Sequence, residues 1–231
     1  MCDVVEPWEH GTVVRATRYP TYYSYNLVRV EDEPGVDAEE LVAFADRALE
    51  GLEHRRLEFD VVEAGEARRA ALVARGFRSM RLLWMRHEQP PPGGAALTVE
   101  EVPYDAVAAL RRTWYEEGLD GGTYDESFGA AAREVAIARG ALVLACSQDG
   151  DPVGFAQLER AGDAAEISQV YVLPELRGRG YGTAMTRAAI LAAGDVSDLW
   201  IVADDEDRPK DLYARLGFRG VWRSMEFELV R

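Results

Sequence analysis

Cysteine is nearly absent, with only Cys2 and Cys146 in the chain. One sits beside the first residue and the other in an apolar run. No disulfide is expected, and a reducing, cytoplasmic setting fits. Histidine is as sparse: His10, His54 and His87 are scattered, without metal-ligand spacing, so no metal is expected. Long apolar runs are missing, and no window approaches the ~18 residues of a membrane span. The first ten residues have no basic stretch leading into an apolar one, so no secretory signal is expected. Positive charge is in deficit: 26 Lys+Arg face 41 Asp+Glu, for a net charge of −15. A field of that sign repels nucleic acid and anionic membrane, and neither is an expected partner.

What remains is an ordinary folding composition. The 231 residues are 48 % hydrophobic and 29 % charged, enough for one large or two small domains. The clearest break is His87-Glu88-Gln89-Pro90-Pro91-Pro92-Gly93-Gly94. Prolines stiffen it and glycines end it, which reads as a linker over 89–95 between a front part, 1–88, and a rear part, 96–231.

The rear part alternates strands and helices. A strand over Ala96–Val102 leads to helices over Tyr104–Glu117 and Glu126–Arg139. Strands follow over Ala141–Cys146, Val153–Glu159 and Ala165–Leu173, the first two joined by the hairpin signal Asp149-Gly150. A helix over Tyr181–Ala193, a strand over Leu199–Val202, a helix over Pro209–Leu216 and a strand pair from Phe218 to Val230 complete it. The fold class is α/β, a mixed sheet with an antiparallel middle and flanking helices. The front part reads as a shorter version. It has a strand pair over Thr12–Arg18 and Tyr23–Val30, and a helix capped by Asp37 with Glu40 completing a capping box. A strand over Leu57–Val62 and a helix over Ala67–Arg75 follow. Leu72-Val73-Ala74-Arg75-Gly76-Phe77 echoes Leu212-Tyr213-Ala214-Arg215-Leu216-Gly217-Phe218, so the chain reads as an old internal duplication.

The most informative stretch is Val170-Tyr171-Val172-Leu173-Pro174-Glu175-Leu176-Arg177-Gly178-Arg179-Gly180-Tyr181-Gly182-Thr183. A strand ends, a glycine-rich turn follows and a helix begins. Glycines admit close backbone approach, and the first helical turn offers free N–H groups at the positive end of its dipole. Arg177, Arg179 and Arg187 lie between Leu176 and Gly194 with no carboxylate among them. That suits a pyrophosphate. A P-loop needs a Lys that is absent here, and from Gly178 a Rossmann turn would need Gly where Thr183 stands. A strand-to-helix corner without a ligand is the alternative that spacing leaves open.

Arg177-Gly178-Arg179-Gly180-Tyr181-Gly182 resembles the [QR]-x-x-G-x-[GA] signature of the GNAT superfamily of acyl-CoA-dependent N-acyltransferases. Val172-x-Pro174 before it and Leu212-Tyr213-x-x-x-Gly217-Phe218 after it agree. The resemblance covers the whole rear part and makes the chain similar to a tandem GNAT protein with a degenerate front half. It implies acetyl-CoA as co-substrate, with backbone at Arg177, Gly178, Arg179, Gly180, Tyr181, Gly182 and Thr183 holding its pyrophosphate. It implies that Val170, Tyr171 and Val172 line the pantetheine on a bulged, splayed strand, and that an N–H near Val170 is the oxyanion donor. Tyr213 is implied as the acid that assists the departing thiol, and Glu166, eleven residues before Arg177, as the base. Glu206 and Pro209 stand where many relatives have Asn and Ala, so the contact lent by that Asn is not expected. The acidic run Asp204–Asp207 reads as a solvated loop.

The implied activity is acetyl transfer to a primary amine of a small molecule or protein. Trp114, Tyr115, Glu116, Glu117, Asp120, Tyr124 and Asp125 form a candidate cradle for a cationic amine. The alternatives are a non-catalytic acyl-CoA-binding or sensing module and a purely structural domain. Two such units in one chain favour a monomer over a homodimer.

Overall fold

The computed structural model describes residues 1–93, 97–118 and 124–230. Its strands are β1 (Val4–Trp8), β2 (Gly11–Arg15), β3 (Leu27–Val30), β4 (His54–Phe59), β5 (Arg78–His87), β6 (Glu100–Val102), β7 (Leu142–Gln148), β8 (Asp151–Ala161), β9 (Ala164–Val172), β10 (Asp198–Asp204) and β11 (Phe218–Val230). Its helices are α1 (Ala38–Ala48), α2 (Val62–Val73), α3 (Ala108–Glu117), α4 (Glu126–Ala138), α5 (Tyr181–Ala193) and α6 (Pro209–Arg215). The chain divides into two units. The first holds 1–83, 204–206 and 222–231; the second holds 84–203 and 207–221.

This division differs from a cut at 89–95. The end of β11 belongs to the first unit because Met225–Val230 pair antiparallel with β4. The expected strand pair after Phe218 is one 13-residue strand. Tyr104 opens a short 3-10 turn rather than α3, and Tyr23–Tyr25 form another ahead of β3. The strand β1 was not foreseen; its single partner is β2. Ala96 lies outside the described residues.

The first unit has strand order β1-β2-β3-β4-β11-β5. One face is apolar. Val28, Val30, Leu57, Phe59 and Phe227 pack there against Leu41 and Ala45 of α1 and Ala64 and Leu72 of α2. Helix α1 starts as its sequence predicts, with Asp37 accepting from the Glu39 and Glu40 N–H groups and Glu40 reaching back to the Asp37 N–H. In the second unit the order is β5-β10-β9-β8-β7-β6. Val107 and Leu110 cover one face over Phe155 and Tyr171, and Ala184 and Met185 of α5 cover the other over Ala156, Val170 and Val172. The Asp149-Gly150 turn joins β7 to β8 as read.

The two units repeat one plan. β1, β2 and β3 run antiparallel, then α1 crosses to parallel β4, and α2 leads to β5. β7, β8 and β9 run antiparallel, then α5 crosses to parallel β10, and α6 leads to β11. The sequence echo falls at matching corners. Gly76 (φ +91°) ends α2 and Gly217 (φ +96°) ends α6. That left-handed conformation suits glycine after a helix, and a Phe then enters the strand each time.

The other face of the first unit is charged. Arg56 on β4 pairs with Glu58 (2.9 Å), Glu226 (2.6 Å) and Glu228 (3.4 Å). Burial, helped by the like charges of Glu58 and Glu228 and opposed by Arg56, pushes the Glu226 carboxyl up from 4.5 to about 7. The folded state therefore holds a proton that the unfolded chain has already lost. This contribution to stability is full below pH ~4.5 and is lost as pH rises through about 7. In Glu226→Gln, Arg56 keeps two carboxylates and the repulsion is gone. Its melting temperature at pH 8 is expected to exceed wild type by about 2–4 °C, or ~1 kcal/mol, with the difference shrinking towards pH 5. Equal destabilisation at both pH values would sink this reading.

Candidate functional site

The site begins where β9 leaves β10. The parallel ladder runs from Ala164–Asp198 to Ile167–Ile201 and stops, although both strands continue. On its other edge β9 stays paired with β8 as far as Val172. A register shift between Gln157 and Leu158 makes Ser168 the extra residue of a bulge, at the apex of the opening. Leu173 N–H donates to Val153 O, so alternation turns the Val170 and Val172 N–H groups away from β8, towards the gap. The bulge and splay implied for this strand are thus both present, and the Val170 N–H faces the opening.

The gap leads to the glycine turn. Gly178 has φ +75° and Gly180 φ +90°, conformations that strain any residue with a Cβ. Gly180 is the N-cap of α5 and offers no side chain to the first-turn N–H groups. The contrast with α1 and α4 is instructive. Asp37 and Asp125 fill those N–H groups with their own carboxylates. The start of α5 keeps its donors open in a turn without acidic residues, which suits an anion. Arg179 is exposed and makes no ion pair among the described residues. Arg187 donates to Pro92 O.

Arg177 turns back onto β9. Its Nε donates to Val172 O (3.0 Å), and its guanidinium lies 5.6 Å from the centre of the Tyr171 ring and pairs with Glu117 (2.7 Å). Glu117 also accepts from the Tyr171 hydroxyl (3.1 Å). Burial and the bond to Glu117 push the Tyr171 hydroxyl up to about 12. Glu117 thus braces strand and turn together, a role that no local pattern signals because it lies 60 residues before Arg177.

The expected cradle for a cationic amine is largely occupied by the protein itself. Glu116 pairs with Arg112 (3.2 Å), Asp125 caps α4, and Arg112 lies 4.8 Å from the centre of the Tyr124 ring. Tyr115 packs on Tyr124 and Phe128, and Trp114 lies edge-on to Phe155. Asp120 lies outside the described residues. The acidic run after β10 is not simply solvated. Asp205 is buried with Arg81 (3.0 Å) and Arg223 (2.7 Å), and Glu206 holds Arg69 (2.7 Å).

Tyr213 on α6 is 7 % exposed, and its hydroxyl has no hydrogen-bond partner among the described residues. Burial alone pushes it up to about 12. The neighbouring Leu212 lies 3.4 Å from where a Cβ on Gly182 would stand, so α6 packs beside the first turn of α5. Glu166 sits on the closed part of the β9–β10 ladder, opposite Glu159 on β8. Burial first and the Glu159 charge second raise its pKa, and Arg139 opposes them. A polar row on the α3 face was not read from sequence: Gln157 and Glu159 on β8, and Ser168 and Gln169 on β9. The available signal was polar residues at i and i+2 on a strand central enough to be buried on both faces. Among the described residues no cluster of three His, Cys, Asp or Glu is arranged for a metal ion, and no helix is long and apolar enough to cross a membrane.

Residues 139–220 match the acetyltransferase (GNAT) domain model. Over 77 residues the chain is 39 % identical to the mycothiol acetyltransferase of Nocardia farcinica, covering 33 % of this chain and 25 % of that protein. Matches to curated relatives span about a quarter to a half of their lengths. In fold, the chain resembles a functionally unknown conserved protein from Staphylococcus epidermidis, with TM-score 0.74 and 13 % identity over 100 % of this chain and 94 % of that one. It also resembles a tandem GNAT protein from the clavulanic acid biosynthesis pathway, with TM-score 0.53 and 17 % identity over 88 % and 75 % of the two chains. That tandem neighbour fits the topological repeat. The segment 139–220, which carries the gap, the turn and α6, is thus the part of the chain that is similar to a GNAT acetyltransferase domain.

Proposed function

We propose that the chain is an N-acetyltransferase that moves the acetyl group of acetyl-CoA directly to a primary amine. The observation that carries this reading is the divergence of β9 from β10 beyond Ile167, opening towards the uncapped N-terminus of α5. Pantetheine lies in the gap beside Val170, Tyr171 and Val172. The pyrophosphate rests on the backbone from Arg177 to Thr183, with Arg179 adding charge. The Val170 N–H receives the carbonyl oxygen as it becomes an oxyanion.

Two proton movements accompany transfer. The amine arrives mainly as an ammonium ion and must lose a proton before attack. Glu166 takes it. Four steps of strand lead from Glu166 to Val170, about 13 Å, so the proton crosses through water. The raised pKa of Glu166 makes it a better base near neutrality. Tyr213 serves the leaving group. A phenol near 12 does not surrender its proton to a thiolate whose own pKa is about 8.5. It donates a hydrogen bond to the developing sulfur charge, and the proton lost by the nitrogen completes the thiol.

The front unit plays no part in binding the donor. Its β3–β4 ladder stays closed to the last residue of β3, and the turn before α1 reads Glu31-Asp32-Glu33 and is capped by Asp37. Acetyl-CoA at a hundredfold over its dissociation constant is expected to add about 2.7 kcal/mol of stability. That is a rise of about 5–11 °C in melting temperature, with NADH inert as control. No shift at millimolar acetyl-CoA would overturn the enzyme and sensor readings together. A shift without CoA release across a panel of amines would favour the sensor.

A further inference from the structure

The face of the second unit that carries the polar row lies opposite α5. The donor comes to the gap with the turn of α5, so the acceptor comes from the α3 face. There Glu159 is a hub. Its Oε1 accepts from Gln157 Nε2 (2.7 Å) and Ser168 Oγ (3.2 Å), and its Oε2 accepts from Arg139 Nε (2.8 Å). A serine hydroxyl has one hydrogen. Ser168 gives it to Glu159 and keeps only lone pairs for anything else. Gln157 is 3 % exposed, and turning its amide to Glu159 fixes its Oε1 the other way. That oxygen is fully buried and meets no donor among the described residues. A buried carbonyl oxygen left so is costly unless a ligand or water supplies the hydrogen bond.

We propose that Gln157 Oε1 on β8 and, next to it across Glu159, Ser168 Oγ at the apex of the β9–β10 gap receive the primary ammonium group of the acceptor, with Glu159 as the positioning residue that leaves both as acceptors. This rests on the acetyltransferase reading and extends it to the acceptor. An ammonium group has several N–H donors and serves both oxygens at once; an alcohol has one O–H and leaves one of them bare. The site thereby selects nitrogen over oxygen acceptors.

The test uses the full chain with saturating CoA, and again without it, in 0.5 M methylammonium chloride or tetramethylammonium chloride. The two cations carry the same charge, but tetramethylammonium has no N–H. With a dissociation constant of about 50 mM, methylammonium raises the melting temperature by about 3–6 °C over tetramethylammonium. The difference is expected to vanish in Ser168→Ala and in Gln157→Met and to survive in Ser168→Thr. Two separate variants guard against one failing to fold, and a retained acetyl-CoA shift certifies each. Equal behaviour of the two salts in wild type overturns the proposal and assigns Gln157 Oε1 to a bound water. A difference that persists in both variants overturns it as well. Failure of the acetyl-CoA shift instead removes the acetyltransferase reading on which this one rests.

Discussion

Replacing Thr183 by Glu is expected to abolish acetyl-CoA binding while leaving the free protein as stable as wild type or slightly more so. Thr183 is the third residue of α5, two positions beyond Tyr181, with Gly180 as N-cap. A carboxylate in the first turn of a helix is favourable, by about 0.3–1 kcal/mol, because it meets the positive end of the dipole. The same carboxylate would sit where the proposed function puts the pyrophosphate of the donor. Two unit charges about 5 Å apart at an effective dielectric constant of 20 repel by ~3 kcal/mol. That is more than a hundredfold in affinity. The acetyl-CoA-dependent rise in melting temperature should therefore disappear without any loss of fold. Retained acetyl-CoA binding in Thr183→Glu would move the phosphate site away from α5.

This substitution reproduces in the second unit what the first unit already has. Both units place a helix after the third strand of their repeat and cross to a parallel strand. In the first, Asp37 and Glu40 satisfy the opening N–H groups of α1 and Glu33 holds Arg68 (2.5 Å). In the second, glycines in left-handed conformations leave those groups open, and Glu117 is spent on Arg177. One fold thus carries either a self-capped helix or one whose opening N–H groups stay open, depending on a few residues at one corner.

That corner was legible because its determinants are local. Glycine spacing, the arginines and the absence of carboxylates between Leu176 and Gly194 lie within twenty residues and act through backbone conformation and the helix dipole. The capping box at Asp37 and the hairpin at Asp149-Gly150 were legible for the same reason. The rest depends on which segments meet. Glu117 reaches Arg177 from another helix, and nothing in its own neighbourhood announces that. Ser168 became a candidate only once the register shift displaced it to the end of the β9–β10 ladder. The aromatic cluster at Tyr115 and Tyr124 looked open to a cationic amine until Arg112 was found on it. The final stretch read as a strand pair; it is one strand whose later residues pair with β4.

Tyr213→Phe is expected to lower kcat by about 10–100-fold while leaving acetyl-CoA affinity and stability near wild type. The estimate follows from one hydrogen bond to a developing charge, about 1.5–3 kcal/mol, at about 1.4 kcal/mol per decade of rate. The fold should not suffer. Tyr213 is buried, its hydroxyl bonds to nothing among the described residues, and phenylalanine fills the same space. The pH profile adds a second readout. With the hydroxyl raised to about 12, Tyr213 stays protonated through the range in which transfer can be assayed. Any alkaline fall in rate must come from another group, and the variant should keep the wild-type profile at a lower plateau. A Tyr213→Phe variant with unchanged kcat would mean that the thiolate leaves unaided and that Tyr213 is a packing residue beside Phe218. If the alkaline limb disappeared with the hydroxyl, the phenol would be titrating in the working range. Burial would then have been relieved by the bound donor, and Tyr213 would act by transferring its proton rather than by holding it.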